Sequence, residues 1–173
     1  ETAKANGSII SFDPNIRMFL WQDEDMLRKM LHYGLSNCTV LKMSKDEAIY
    51  QSGICDPEAA MESILKNYPN ISVAFLTLGE KGSMVFSGES KAYVDAMSQK
   101  NVVDTTGAGD AFYGVCLYYI AKCSISDLTM DKLAFIAERA NAAGSIVTGR
   151  YGSMRVMPDN IEIEETVRIQ RKS

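Results

Sequence analysis

The chain has one histidine, one tryptophan and four prolines among its 173 residues, and its four cysteines include no C-x-x-C pair. Cys38, Cys55, Cys116 and Cys123 fall in apolar or irregular surroundings, so neither a zinc site nor a disulfide framework is indicated and reduced thiols are expected. The single His32 lies near the end of a helical pattern, which gives serine or cysteine chemistry with a histidine base little support. Basic residues are not in excess: 18 Lys and Arg against 22 Asp and Glu give a charge of −4 and a pI near 5.1, no footprint for nucleic acid. No stretch approaches the roughly 20 continuous apolar residues of a membrane span, and residues 1–7 have no signal-peptide core, so a cytoplasmic protein with no membrane partner is expected. No repeat, low-complexity run or linker interrupts the chain, and 46% apolar residues suffice for a core, so one α/β domain over residues 1–173 is expected.

Two familiar phosphate loops are missing as well. No G-K-[ST] follows a glycine run, which excludes a Walker A loop, and Phe112 stands where a dinucleotide fingerprint needs its third glycine. In their place stands Val103-Asp104-Thr105-Thr106-Gly107-Ala108-Gly109-Asp110-Ala111-Phe112. Val102 and Val103 read as the end of a short strand, and the apolar series Ala111, Phe112, Val115, Cys116, Tyr119, Ile120 reads as a helix running to about Lys122. The free N–H groups at that helix start would hold an anion over Gly107, Ala108 and Gly109 without a lysine. A carboxylate at Asp110 would repel a phosphate, which suits it to taking a proton from an attacking hydroxyl. The plain structural alternative is that glycine before a helix and Asp in its first turn are ordinary helix-start chemistry.

Along the chain, residues 8–12 read as a buried strand and residues 23–33 as a helix burying Met26, Leu27, Met30 and Leu31, with Gly34 as its stop. Strands follow at 38–43 and 73–78, helices from about Ser44 and from Asp56-Pro57, a hairpin over 83–94, and a helix from about Met130 to Thr148. Residues 160–172 read as a surface helix or frayed tail. Alternating strands and helices imply a parallel sheet covered on both faces, with ligands beyond the carboxyl ends of the strands, where Asp13, Met43, Gly79 and Gly107 fall.

Local chemistry gives the remaining motifs ordinary roles. Asp13-Pro14-Asn15-Ile16-Arg17 is a strand end with a cap, Ser44-Lys45-Asp46-Glu47 a capping box, Thr77-Leu78-Gly79-Glu80-Lys81-Gly82 a turn, and Ala140-Asn141-Ala142-Ala143-Gly144 a small-residue helix face.

Together they carry a second meaning. The string 104–112 resembles the second signature of the ribokinase-like (PfkB) carbohydrate kinases, D-T-T-G-A-G-D-x-F, and D-P-N-x-R with a trailing Leu20-Trp21 is similar to bacterial fructokinases and the related ketodeoxygluconate kinases. The resemblance implies a ribokinase-like, three-layer α/β fold and transfer of the γ-phosphoryl group of ATP to a small-molecule sugar, fructose first. Asp110 is implied as base, residues 107–109 as anion hole, and Arg17 near the phosphate or sugar. ATP contacts are implied at Lys42, Ser44, Thr77, Gly79, Gly82, Thr105, Asn141 and Gly144. Glu47 is implied to act on water bound to Mg²⁺, although Ser44 replaces the usual asparagine of N-x-x-E; Asp104, Thr106, Gly152 and the carbonyl of Val147 are implied to form a monovalent-cation site, K⁺ for instance. The match covers about residues 8–158 and only the carboxyl-terminal part of such kinases, so the strands and β lid that precede it there are expected to be missing, with a homodimer or an amino-terminal complement as partner. A ketodeoxygluconate kinase, a nucleotide-binding half without turnover and a nicotinamide-dependent oxidoreductase are the competing readings.

Overall fold

A computed structural model describes residues 2–98 and 101–172. The chain divides into two compact units, Glu1–Thr77 with Phe86–Glu89, and Leu78–Val85 with Ser90–Ser173.

The first unit opens with a short helix, α1 (Thr2–Ala5), and is built on the strands β1 (Ser11–Phe12), β2 (Val40–Ser44) and β3 (Val73–Thr77). All three run parallel, with Ser11 opposite Val40 and Leu41 opposite Ala74. β2 and β3 are buried on both faces for their first four residues, which is why they read as continuous apolar runs rather than alternating ones. β4 (Ser83–Ser87) and β5 (Ser90–Val94) complete a five-stranded sheet in the order β1-β2-β3-β4-β5. The two-residue link between them makes a hairpin, so the sheet is mixed rather than wholly parallel.

β1 is shorter and less buried than residues 8–12 suggested. Ile9 is exposed, and pairing starts irregularly where the Ile10 carbonyl accepts from both Thr39 and Val40. The helix α2 (Glu24–Asn37) starts at the Asp23 cap and runs past Gly34, the expected stop. Gly34 is there for space: a Cβ would lie 2.4 Å from the Phe12 ring. α2 buries Leu27, Leu31 and Leu35, while Met26 and Met30 face solvent, because the stripe follows the i, i+4 leucines. Asn70 receives its end, donating to the carbonyls of Leu35 and Cys38 at 2.8 Å. α3 (Lys45–Ser52) carries the capping box read at Ser44, and α4 (Pro57–Asn67) the Asp56 cap.

The second unit packs α5 (Ala108–Ile120), α6 (Met130–Thr148) and α7 (Asn160–Gln170). Its core joins Met97, Ala111, Ala142, Ala143 and Val147 to Ile163 and Val167, so residues 160–170 form a docked helix rather than a frayed tail. The alanines of α6 let the helices approach closely. Buried Arg139 ties α6 to α7 by a two-pronged bond to Glu164, 2.6 and 2.8 Å. Residues 99–100 lie outside the described residues, and Val102 and Val103 just after them, expected to end a short strand, lie in no strand and are exposed. Their loop is instead pinned to the end of α6, where the Thr148 carbonyl accepts from Val103 at 2.8 Å and Asp104 at 3.2 Å. No described helix is long and apolar enough to cross a membrane.

Candidate active site

In the first unit, the loop 13–17 is held at two points. The Asp13 carboxylate accepts from the Lys42 ammonium of β2 at 3.1 and 3.2 Å, and Lys42 is buried there. Three residues on, the Ile16 amide donates to Glu47 Oε1 at 2.8 Å. Between these points Asn15 adopts φ 44°, a left-handed turn that asparagine tolerates. The other Glu47 oxygen, Oε2, accepts from the Ser44 amide at 2.8 Å and its hydroxyl at 3.0 Å. Glu47 is thus both capping-box partner of α3 and anchor of the 13–17 loop, a link that local spacing alone could not reveal. Arg17 is exposed and donates to the Ile16 carbonyl at 3.2 Å. Thr77 ends β3.

In the second unit, Gly79–Lys81 form a single 3₁₀ turn, and its first residue, Gly79, and its C-cap, Gly82, take positive φ, 66° and 103°. A Cβ at Gly82 would strike the Val94 carbonyl at 2.2 Å, so the turn is fixed by the close approach of the chain after β5.

The signature loop leads directly into a helix. Gly107 is the N-cap of α5 with φ 82°, and no side chain caps it. The Ala108 amide bonds the Thr105 carbonyl at 3.3 Å and the Ala111 amide bonds Gly107 at 2.8 Å, while among the described residues the N–H groups of Gly109 and Asp110 have no hydrogen-bond acceptor. Asp110 is exposed beside them in the first turn. Gly107 also lies so close to Ser153 that a Cβ would come within 2.8 Å of the serine Cβ. Ser153 and the Thr148 carbonyl are the supports that sequence reasoning missed; backbone acceptors and small-residue approaches leave no pattern in a sequence.

Asp104 bridges the loop. Its Oδ1 accepts from the Thr106 amide at 2.9 Å and its Oδ2 from the Gly152 amide at 3.2 Å. The Thr106 donors first, then the Gly152 amide, hold the carboxyl below the ordinary aspartate range. Asp104, Thr106 and Gly152 are thus brought together, and the Val147 carbonyl accepts from the Arg150 amide at 3.0 Å. Asn141 donates to the carbonyls of Val94 and Asp95, 3.0 Å each, which fixes the chain leaving β5 to α6. Gly144 lets α6 approach the α5 start, a Cβ there lying 3.4 Å from the Ala108 carbonyl. Among the described residues no three His, Cys, Asp or Glu side chains form a ready metal-binding group.

Residues 1–160 match the family described as pfkB family carbohydrate kinase. The chain belongs to that family. Among curated relatives, fructokinase-2 of Oryza sativa subsp. japonica is 33% identical over 166 residues, covering 95% of this chain and 48% of the relative. The fructokinase of Vibrio cholerae O395, solved with fructose, ADP and calcium ion, superposes with a TM-score of 0.86 at 26% identity, over 95% of this chain and 52% of that one. A fructokinase of Xylella fastidiosa with bound ATP gives 0.84 at 25% identity, over 98% and 54%. The pfkB chain described here has a ribokinase-like fold and spans about half the length of the relatives it matches.

Proposed function

We propose that this pfkB chain supplies the nucleotide-binding and catalytic part of an ATP-dependent sugar kinase whose acceptor is fructose. The observation that carries the reading is the start of α5: two open backbone donors, an exposed carboxylate beside them, and a loop held by Asp104 and the Thr148 carbonyl. In that arrangement the amides of Gly109 and Asp110 bind the anionic oxygens of the transferring group, with Ala108 exchanging its long bond to Thr105 for the same purpose. Asp110 accepts the proton of the attacking hydroxyl. By the family resemblance Gly79, Gly82, Thr105, Asn141 and Gly144 of the second unit line or support the nucleotide's place, and Arg17, with Lys42, Ser44 and Thr77, is the first unit's own candidate for phosphate.

A divalent cation fits this donor set in one manner only. Both Glu47 oxygens already accept protein donors, so Glu47 can orient water around Mg²⁺ but is poorly placed to be its direct ligand. When bound, Mg²⁺ supplies charge neutralisation on the phosphates. Asp104 and the backbone around Thr106, Val147 and Gly152 would hold a monovalent ion such as K⁺, whose effect would be to keep the α5 loop in shape.

ADP release from ATP and Mg²⁺, measured with fructose, ribose, ketodeoxygluconate and no sugar, tests the reading. Fructose-dependent release that Asp110→Asn lowers by about 10²–10⁴-fold, with ATP affinity retained, is expected. ATP binding without release for any sugar would assign nucleotide binding without turnover, and equal loss of binding and transfer in Asp110→Asn would remove the aspartate from its role as base.

A further inference from the structure

Glu47 and Lys42, which the family resemblance gives to metal and nucleotide, bond in this chain into the loop that presents Arg17, and Ser44 bonds Glu47. Glu47 is buried, and its two oxygens face two separate sets of donors: the Ile16 amide on one side, the Ser44 amide and hydroxyl on the other. Only a carboxylate satisfies both sets. An amide side chain would turn N–H groups against one of them and leave a buried donor unpaired. Lys42 meets Asp13 at the start of the same loop, with side-chain exposures of 8% and 16%. Between the anchors lie Pro14, with its fixed φ, and Asn15 at φ 44°. Residues 13–16 therefore have little freedom, and Arg17 follows directly on the anchored Ile16 amide.

We propose that Glu47, through the Ile16 amide, and Lys42, through Asp13, are positioning residues that fix the 13–17 loop so that Arg17 stands ready for the acceptor sugar and the phosphoryl group moving to it. The proposal rests on the kinase reading for Arg17's role but not for the clamp itself. Its consequence is that the start of α3, which answers to the nucleotide end of the reaction, and the loop that answers to the acceptor end share one carboxylate. Disturbing it loosens the arginine even when the metal is fully supplied.

The test combines kinetics with amide exchange. In Glu47→Gln, measured at saturating Mg²⁺, the acceptor KM should rise about ten- to hundredfold, as expected for a displaced positioning group. The same loss should be nearly absent when Glu47→Gln is placed in an Arg17→Ala background, because two residues acting through one another are not additive. Asp13→Asn, which loosens the other anchor and leaves Glu47 untouched, should reproduce the rise in acceptor KM. Hydrogen exchange at Arg17, whose own N–H Glu47 does not accept, should accelerate in Glu47→Gln and Asp13→Asn while exchange in α4 stays unchanged. A raised Mg²⁺ requirement with unchanged acceptor KM, or full additivity with Arg17→Ala, would overturn the proposal in favour of a metal role. Unchanged exchange at Arg17 would overturn the clamp whether or not the protein turns over sugar, and accelerated exchange in a protein that phosphorylates no sugar would uphold the clamp while removing the kinase reading.

Discussion

At the scale of single residues, two titrating groups make opposite statements about the fold. The Asp104 carboxyl is held below its unfolded value by the donors of Thr106 and Gly152. Its folded form therefore binds its proton more weakly than the unfolded chain does, and the bridge contributes fully above about pH 4. That contribution is lost as pH falls through the lower, folded value. The gap in Tm between the wild type and Asp104→Ala should be constant near neutrality and close in acid; a gap that widened in acid would mean that Asp104 is not the bridging anion. Cys38 moves the other way, its thiol pushed up to about 11 by burial. At pH 8 its thiolate is then roughly one part in a thousand, whereas Cys55 is exposed. A maleimide should label Cys55 rapidly in the native protein and reach Cys38 and Cys116 only on unfolding, which mass spectrometry of the labelled peptides would show.

At the scale of elements, two glycines inside helices have opposite meanings. Gly34 of α2 has the Phe12 ring where its Cβ would be, so Gly34→Ala must displace the residue that precedes the 13–17 loop. A loss of about 1–3 kcal/mol is expected from such overpacking. Gly114 of α5 is exposed with nothing near its missing Cβ, and Gly114→Ala should gain up to about 1 kcal/mol from helix propensity alone. Urea titration of the two variants should shift the midpoint in opposite directions. The same pair explains what the sequence could tell. Glycine after an apolar helical run reads as a stop, and only the distant Phe12 makes Gly34 an interior residue. Caps at Ser44 and Asp56 were legible because their partners lie within three residues. Val102 and Val103 misled for the converse reason: their β propensity was overridden by the Thr148 carbonyl, which takes the amides a neighbouring strand would have used.

At the scale of the whole chain, the site was legible as a set of motifs but not as a set of bonds. G-A-G-D announced an uncapped helix start, while the use of Glu47 to hold Ile16, 31 residues away, follows only from the tertiary fold. The surface adds what neither motif nor core predicts. Met18–Leu20 form one 3₁₀ turn that buries none of its residues, with Phe19 82% and Leu20 70% exposed and Trp21 beside them. β1, at the end of the strand order, pairs with β2 through Ser11 and Phe12. Such exposed apolar side chains favour contact with another molecule, and the modest net charge of −4 opposes it little. Sedimentation should therefore show concentration-dependent association of the wild type. Phe19→Glu with Leu20→Glu should abolish it at small cost in stability, since neither side chain is part of the core. If the double variant associates as the wild type does, the contact lies elsewhere and this turn serves only to carry the chain from Arg17 into α2.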